Sequence, residues 1–192
     1  MQSPEAVRRQ YLEAMGITQW ERRAAVAAAS AATLPESSAP VVIAPPTGAS
    51  PDWTVLEEAV RSCTKCALHS TRTQTVFGVG NRRAQWMFVG EAPGADEDRQ
   101  GEPFVGAAGK LLNAMLTALG LKREEVFIAN VLKCRPPNNR DPQANEVEQC
   151  EPYLIRQIEL IQPKLIVALG RHAAHSLLKT DLALARLRGQ PL

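Results

Sequence analysis

The chain has 192 residues, of which 45% are hydrophobic, and a formal net charge of +2; this length allows one domain with a sizeable core and a smaller appendage. It contains no apolar run of roughly 18 residues and no signal-peptide core near its start, which excludes a membrane-spanning class and predicts a cytoplasmic protein without a membrane partner. The small net charge neither indicates nor excludes a nucleic-acid partner, because local patches of charge set the field that a polyanion meets.

The first part of the chain divides into a predicted helix and a predicted linker. Apolar residues at helical spacing predict a helix over residues 4–29, and the segment 30–52 is rich in proline, serine and alanine, which is typical of an extended linker. Leu12, Ile17 and Trp20 are candidate anchors for a groove on another protein, with packing against the chain's own core as the alternative. We therefore divide the chain into a docking peptide (1–29), a linker (30–52) and a domain (53–192).

From residue 53 onward, short apolar strands alternate with amphipathic helices. The pattern predicts strands at 85–89, 126–132 and 164–169 and helices at 106–119, 144–161 and 171–178. This alternation is typical of a mostly parallel sheet that is covered on both faces. In such sheets ligands bind where the loops leave the carboxyl ends of the strands. The loops GEAPGADED, KCRPPNNRDP and GRHAAH all leave such ends, so together they predict one site.

The four cysteines have a spacing that suits one metal site. Cys63 and Cys66 form a CxxC motif, and Cys134 and Cys150 lie on either side of a later loop. Four thiolates from two such pairs can hold zinc or an iron–sulfur cluster, and spacing alone does not separate the two. A CxxC redox pair with two unrelated thiols, or four inert cysteines, are the alternatives.

Several ordered blocks of the sequence resemble the family 4 uracil-DNA glycosylases, the iron–sulfur branch of the uracil glycosylase superfamily. These blocks are CTKC (63–66), GEAPGADED (90–98), GEPFVGAAGKLL (101–112), IANVLKCRPPNNRDP (128–142) and Cys150. The resemblance implies a three-layer α/β/α sandwich with a mostly parallel central sheet and a 4Fe–4S cluster on Cys63, Cys66, Cys134 and Cys150. It also implies hydrolysis of the N-glycosidic bond of deoxyuridine in DNA.

The resemblance assigns base-binding roles to two side chains and one turn. Phe104 is expected to stack on a uracil flipped out of the DNA, and its alternative is a core aromatic. Asn130 ends a predicted strand, and its amide offers a donor and an acceptor to the uracil edge. Gly90 and Ala92 belong to the turn whose backbone is expected to line the uracil pocket.

Glu91 and Glu97 match the two glutamates of the family's first motif, and both are candidate catalytic residues. A carboxylate near the sugar can stabilise its developing positive charge and orient water. We expect Glu91 beside the uracil pocket and assign water handling to Glu97 at least as readily. Asp96 and Asp98 are expected to belong to a solvated acidic loop or to cap the segment that follows.

Phosphate contacts are expected from two places. Gly109 and Lys110 open a predicted helix whose first N–H groups suit a phosphate. Arg135 and Arg140 flank the turn PPNN and are candidate phosphate contacts, with ordinary surface arginines as the alternative.

The resemblance also implies a His-Pro motif near the carboxyl end, whose histidine contacts the uracil carbonyl. No histidine of the sequence precedes a proline, and the sequence ends at LARLRGQPL before such a motif. Because loss of one such donor commonly costs about 10²- to 10³-fold in rate, impaired activity is expected. His172 and His175 are predicted to be helix-surface or packing residues and not substitutes for the motif.

The segment YLEAMGITQWERR (11–23) resembles the N-terminal segment of the psi subunit of the bacterial DNA polymerase III clamp-loader complex. This resemblance implies docking to clamp-loader subunits. Two hypotheses follow: a uracil-DNA glycosylase brought to replication forks by its N-terminal peptide, or a non-enzymatic psi-like subunit that uses a glycosylase fold as a scaffold.

Overall fold

The computed structural model of the chain describes residues 51–187. The predicted docking peptide, with Leu12, Ile17 and Trp20, lies outside the described residues, as does nearly all of the predicted linker, so the domain division stays a prediction. Across residues 51–187, every helix is too short or too polar to cross a lipid bilayer.

Four strands form one mixed sheet. They are β1 (Val79–Gly80), β2 (Trp86–Gly90), β3 (Phe127–Asn130) and β4 (Leu165–Ala168). Their order across the sheet is β1-β3-β2-β4, with β2 parallel to both β3 and β4 and β1 antiparallel to β3. The predicted mostly parallel sheet is thus confirmed. The two-residue strand β1 was not predicted because it is too short to show a periodic pattern.

Five α-helices surround the sheet in the described residues. They are α1 (Pro51–Arg61), α2 (Ala95–Gln100), α3 (Ala107–Ala118), α4 (Ala144–Ile161) and α5 (Arg171–Leu178). The predicted helices correspond to α3, α4 and α5 to within one residue at each end. Helix α1 was not predicted, although Trp53, Leu56 and Val60 are buried on one of its faces at helical spacing.

Alternate residues of the strands pack against two different helical layers, since successive side chains of a strand point to opposite faces. One core cluster joins one face of the sheet to α1, α4 and α5, and it includes Trp53, Met87, Val89, Phe127, Ala129, Leu154 and Ala173. The other joins the opposite face to α3 and includes Phe88, Leu112, Leu116 and Ile128. The predicted three-layer α/β/α sandwich is therefore confirmed.

The carboxyl ends of the parallel strands meet at one edge of the sheet. Gly90 at the end of β2 is the register partner of Asn130 at the end of β3, and Ala168 of β4 pairs with Val89. The three segments GEAPGADED, KCRPPNNRDP and GRHAAH leave this edge, as predicted. Strand β4 lies at the margin of the sheet within the described residues, and its Leu165 is 40% exposed, so it is less covered than its apolar sequence predicts.

Candidate active site and cysteine site

A cavity of about 340 Å³ opens at the carboxyl edge of the sheet. Five of the predicted site residues line it, namely Glu91, Ala92, Glu97, Phe104 and Asn130. The volume lies within the range of small-molecule binding sites. The structure therefore brings the predicted base-binding and catalytic side chains to one place.

Gly90 allows the Phe104 ring and the Asn130 amide to meet at the base of this cavity. A β-carbon built on Gly90 would clash with Asn130 Oδ1 and with the edge of the Phe104 ring. Asn130 is 2% exposed, so its amide is held within the protein at the end of β3. Only a residue without a side chain fits between these two groups.

The backbone of Phe104 adopts a conformation that side chains disfavour. Its φ is 55°, in the left-handed region, which costs roughly 1–3 kcal/mol when the surroundings enforce it. The surroundings include Gly109 of α3, where a β-carbon would clash with the Phe104 carbonyl. Strain of this kind is typical of residues that a site holds in a fixed orientation.

Glu97 holds two loops together through its carboxylate. Its Oε2 accepts a hydrogen bond from the Gly94 N–H at 3.0 Å, and its Oε1 accepts one each from the Val105 and Gly106 N–H groups, both at 3.0 Å. These bonds tie the loop after β2 to the segment that carries Phe104. Both oxygens are thus engaged by the backbone, and the predicted water-handling role of Glu97 stays a prediction.

Glu91 has a more open environment. Its side chain is 36% exposed, and its Oε2 lies 3.9 Å from Nε2 of His172. The same His172 nitrogen lies 3.3 Å from Asp141 Oδ2. No hydrogen bond from residues 51–187 engages the Glu91 carboxylate, which leaves it available to a ligand in the cavity.

The sequence analysis assigned His172 to the helix surface or to packing, and the structure places it on α5 next to a catalytic candidate. The sequence contained a signal for this proximity. His172 lies two residues after Gly170, in the segment GRHAAH that follows the carboxyl end of β4. His175, by contrast, fits the packing prediction, since its Nε2 lies 2.9 Å from the Leu182 carbonyl oxygen.

The acidic residues Asp96 and Asp98 differ in their surroundings. Asp96 lies in the first turn of α2 with its side chain 46% exposed and pairs with Arg99, in line with the prediction. For Asp98 the prediction of a solvated residue was wrong: it is 4% exposed, and both of its oxygens accept the Thr73 N–H, at 3.0 and 3.1 Å. Thr73 lies 25 residues earlier in the chain, and local sequence does not reveal a contact of that kind.

Arg140 lines the cavity but is anchored to a buried carboxylate. Its two terminal nitrogens donate to Glu146 at 2.9 and 2.6 Å. These bonds hold the pKa of Glu146 below its usual value, although burial opposes the shift. Arg135 donates from Nε to Asn139 Oδ1 at 2.7 Å. The predicted phosphate contacts of both arginines stay predictions.

All four cysteines line a second cavity, between the end of α1, the loop after β3 and the middle of α4. None forms a disulfide, and Cys134 and Cys150 are buried. Burial raises the pKa of Cys150 to about 11 and also raises that of Cys134. Buried thiols of this kind are poor redox nucleophiles, and they become thiolates readily only when they bind a metal.

The spacing of the sulfurs bears on the kind of metal group that fits. No three of the four Sγ atoms lie within 4.8 Å of one another. A single zinc ion with Zn–S bonds of about 2.3 Å holds its sulfurs roughly 3.8 Å apart. The arrangement is therefore wider than one zinc ion requires. Arg72 donates to Cys134 Sγ at 3.1 Å and adds a positive charge at the wall of this cavity.

Lys133 lies between the two cavities and was not singled out by the sequence analysis. It is 1% exposed, and its Nζ donates to the Asn130 carbonyl at 2.8 Å and to Gln157 Oε1 at 2.7 Å. The backbone N–H of Lys133 donates to Cys150 Sγ at 3.1 Å. Burial lowers the pKa of Lys133 to about 8, while Cys150 opposes the shift. The signal for it was a lysine set directly before a cysteine in an apolar segment.

Comparison with known proteins agrees with this architecture. The sequence model of the uracil DNA glycosylase superfamily matches residues 77–191. The type-4 uracil-DNA glycosylase of Archaeoglobus fulgidus is 64% identical over 122 residues, which cover 62% of this chain and 61% of that protein. The type-4 enzyme of Thermotoga maritima is 46% identical over 139 residues, which cover 72% of each. The type-5 uracil-DNA glycosylase of Pyrobaculum aerophilum is 36% identical over 115 residues, 52% of this chain and 50% of that protein.

The matches cover only part of the relatives and only part of this chain. The chain spans about three fifths of the length of the first of these relatives. The superfamily match begins at residue 77, so the resemblance of residues 11–23 to the psi subunit is untouched by it and stays a prediction.

Proposed function

The chain belongs to the uracil DNA glycosylase superfamily and to its type-4 branch, and on this premise we propose that it hydrolyses the N-glycosidic bond of deoxyuridine in DNA. The observation that carries the proposal is the single cavity in which Phe104, Asn130 and Glu91 meet. The non-enzymatic scaffold hypothesis is not favoured, because a scaffold does not require this set of side chains around one cavity.

Recognition of the base follows from the cavity floor. A base turned out of the stack can lie against the Phe104 ring, and the Asn130 amide can donate to one atom and accept from another on the uracil edge. Since Gly90 brings these two groups together, ring stacking and edge reading act on the same base. Fixed polar groups reject a base with the wrong pattern of donors and acceptors, because they would be left unpaired.

Bond cleavage needs a negative group beside the sugar. We assign this role to Glu91, whose carboxylate is partly exposed and has no hydrogen bond from the described residues. It can stabilise the positive charge that develops on the sugar and orient a water molecule for attack. Glu97 serves as a positioning residue in this proposal, since its three backbone hydrogen bonds fix the loops that carry Glu91 and Phe104.

We also propose that Cys63, Cys66, Cys134 and Cys150 hold a 4Fe–4S cluster. Three features support it: the shared cavity, the burial of two thiols and a sulfur spacing wider than a single zinc ion requires. When bound, the cluster would supply a cross-link among α1, the loop after β3 and α4. Docking of residues 11–23 to clamp-loader subunits is retained as a separate proposal that residues 51–187 do not support or oppose.

The proposal is tested with the full chain, purified without exposure to chelators and incubated with an oligonucleotide that carries one uracil. We expect abasic product, detected as strand cleavage after alkali, and none from the matched thymine oligonucleotide. Glu91→Gln should reduce the single-turnover rate by at least about 100-fold while leaving the melting temperature unchanged. Absence of abasic product from the metal-loaded wild-type chain would overturn the proposed activity.

A further inference from the structure

Lys133 is a buried cation whose hydrogen-bond partners carry no charge. The ammonium donates to two neutral oxygens, the Asn130 carbonyl and Gln157 Oε1. Gln157 is fully buried, and its Nε2 donates to the Phe77 carbonyl at 2.9 Å. An isolated buried charge is expensive unless an opposite charge lies near it, so the position calls for a compensating negative charge.

The cysteine cavity can supply that charge. Lys133 lines it together with the four cysteines, and the Lys133 N–H donates to Cys150 Sγ. Four thiolates around a zinc ion or around an oxidised 4Fe–4S core have a net charge of about −2. Lys133 and Arg72, which donates to Cys134 Sγ, bring two positive charges to the same wall.

The Lys133 ammonium contacts the backbone of a residue that lines the base-binding cavity. Its ammonium holds the carbonyl of Asn130, the residue proposed to read the uracil edge. The two residues after Asn130 are hydrogen-bonded to the loop that carries Glu91. The Val131 N–H donates to the Gly90 carbonyl at 2.9 Å, and the Leu132 N–H donates to the Glu91 carbonyl at 3.0 Å. Lys133 therefore contacts a ligand of the cysteine site through its backbone N–H and the backbone of the proposed active site through its ammonium.

We propose that Lys133 is a positioning residue that couples occupancy of the cysteine site to the geometry of the base-binding cavity. Its charge is balanced when the thiolates bind their metal group, and the balanced ammonium then fixes the end of β3 against α4. This inference rests on the proposed metal group, so metal and sulfide analysis of the wild-type chain comes first. A chain that binds neither iron nor zinc would overturn both proposals.

The test compares Lys133→Met with Lys164→Met, which makes the same chemical change at an exposed lysine outside both cavities. Each metal-loaded protein is mixed with excess chelator, and metal loss is followed by absorbance or by metal analysis. We expect Lys133→Met to lose its metal about 10- to 100-fold faster than wild type, as is usual when a partner of the metal ligands is removed. Lys164→Met should match wild type.

Hydrogen exchange of residues 127–132 supplies a readout that does not depend on glycosylase activity. In metal-loaded Lys133→Met, protection there should fall by about tenfold, because the charge-assisted hydrogen bond to Asn130 is lost. Arg72→Met should speed metal loss yet leave this protection unchanged, since Arg72 contacts Cys134 and not Asn130. Loaded Lys133→Met with the metal retention and protection of Lys164→Met would overturn the coupling while leaving the proposed activity intact.

If Lys133→Met does not fold, the wild-type chain still decides the matter. Chelation of the wild-type metal should lower protection at residues 127–132 more than at the strand Leu165–Ala168, which pairs with β2 and not with β3. Equal protection at residues 127–132 before and after metal removal would contradict the proposal. Equal loss in both strands would contradict it too, since it would indicate general unfolding instead of a specific link.

Discussion

Substitution of Gly90 by alanine tests the geometry of the base-binding cavity with a single methyl group. The added carbon would lie 2.5 Å from Phe104 Cζ and 2.8 Å from Phe104 Cε2, whereas ordinary contact begins at 3.4 Å. The Phe104 ring therefore has to move by about 0.9 Å, and the Asn130 amide has to move as well. Both groups are confined, Phe104 by its strained backbone and Asn130 by burial.

A displacement of about 1 Å in a group that orients the substrate commonly costs about 100-fold in rate. We therefore expect Gly90→Ala to reduce the single-turnover rate of uracil excision by about that factor. Overpacking should also lower the free energy of unfolding by about 1–3 kcal/mol, which thermal or denaturant unfolding will report.

Gly120→Ala is the matched control. Gly120 has a φ of 73° and no atom within 4 Å of the added carbon, so the variant should lose about 1 kcal/mol of stability through backbone strain alone. Its excision rate should stay at the wild-type level. If Gly90→Ala keeps a rate within threefold of wild type, the cavity floor is not as closely packed as the structure indicates and the reasoning fails.

Three further substitutions test the separate roles of the acidic and thiol groups. Glu97→Gln should lower both stability, by about 1–3 kcal/mol, and the excision rate, because an amide cannot accept all three backbone hydrogen bonds; a loss of rate with unchanged stability would favour water handling instead. For Glu146, the folded-state pKa is lowered by Arg140, so its contribution is present above the ordinary pKa and is lost as pH falls through the folded value. The difference in melting temperature between wild type and Glu146→Gln should accordingly be largest near pH 7 and shrink below about pH 4, and a constant difference would contradict the assignment. Cys150→Ser should abolish the absorbance near 400 nm and the bound sulfide, whereas retention of a full cluster would remove this residue from the ligand set.

The sequence was enough to predict where the site lies, because the relevant signals are local. Apolar runs identify β2 and β3, and parallel strands present their carboxyl ends at one edge. Glu91 directly follows β2 and Asn130 is the last residue of β3, so the two were expected together, and they line one cavity. The CxxC spacing likewise identified the cysteines as one set.

The sequence could not reveal how individual polar groups are used. Glu97 and Asp98 are neighbours of the same charge in one acidic run, yet one accepts hydrogen bonds from residues 105 and 106 and the other from Thr73. The partners are distant in the chain, so only the tertiary structure decides which carboxylate is buried. The burial of Lys133 was not predicted for a similar reason, since the sequence does not distinguish a buried lysine from an exposed one.

Base selectivity in single-stranded DNA tests the central claim most directly. Uracil and cytosine differ in the donors and acceptors of their Watson-Crick edges, so excision from oligonucleotides that carry one or the other reports how the cavity reads that edge. The wild-type chain should release uracil and leave cytosine intact, and Asn130→Ala should lose uracil excision by at least about 100-fold. Release of no uracil by the metal-loaded wild type, or an unchanged rate in Asn130→Ala, would contradict the account.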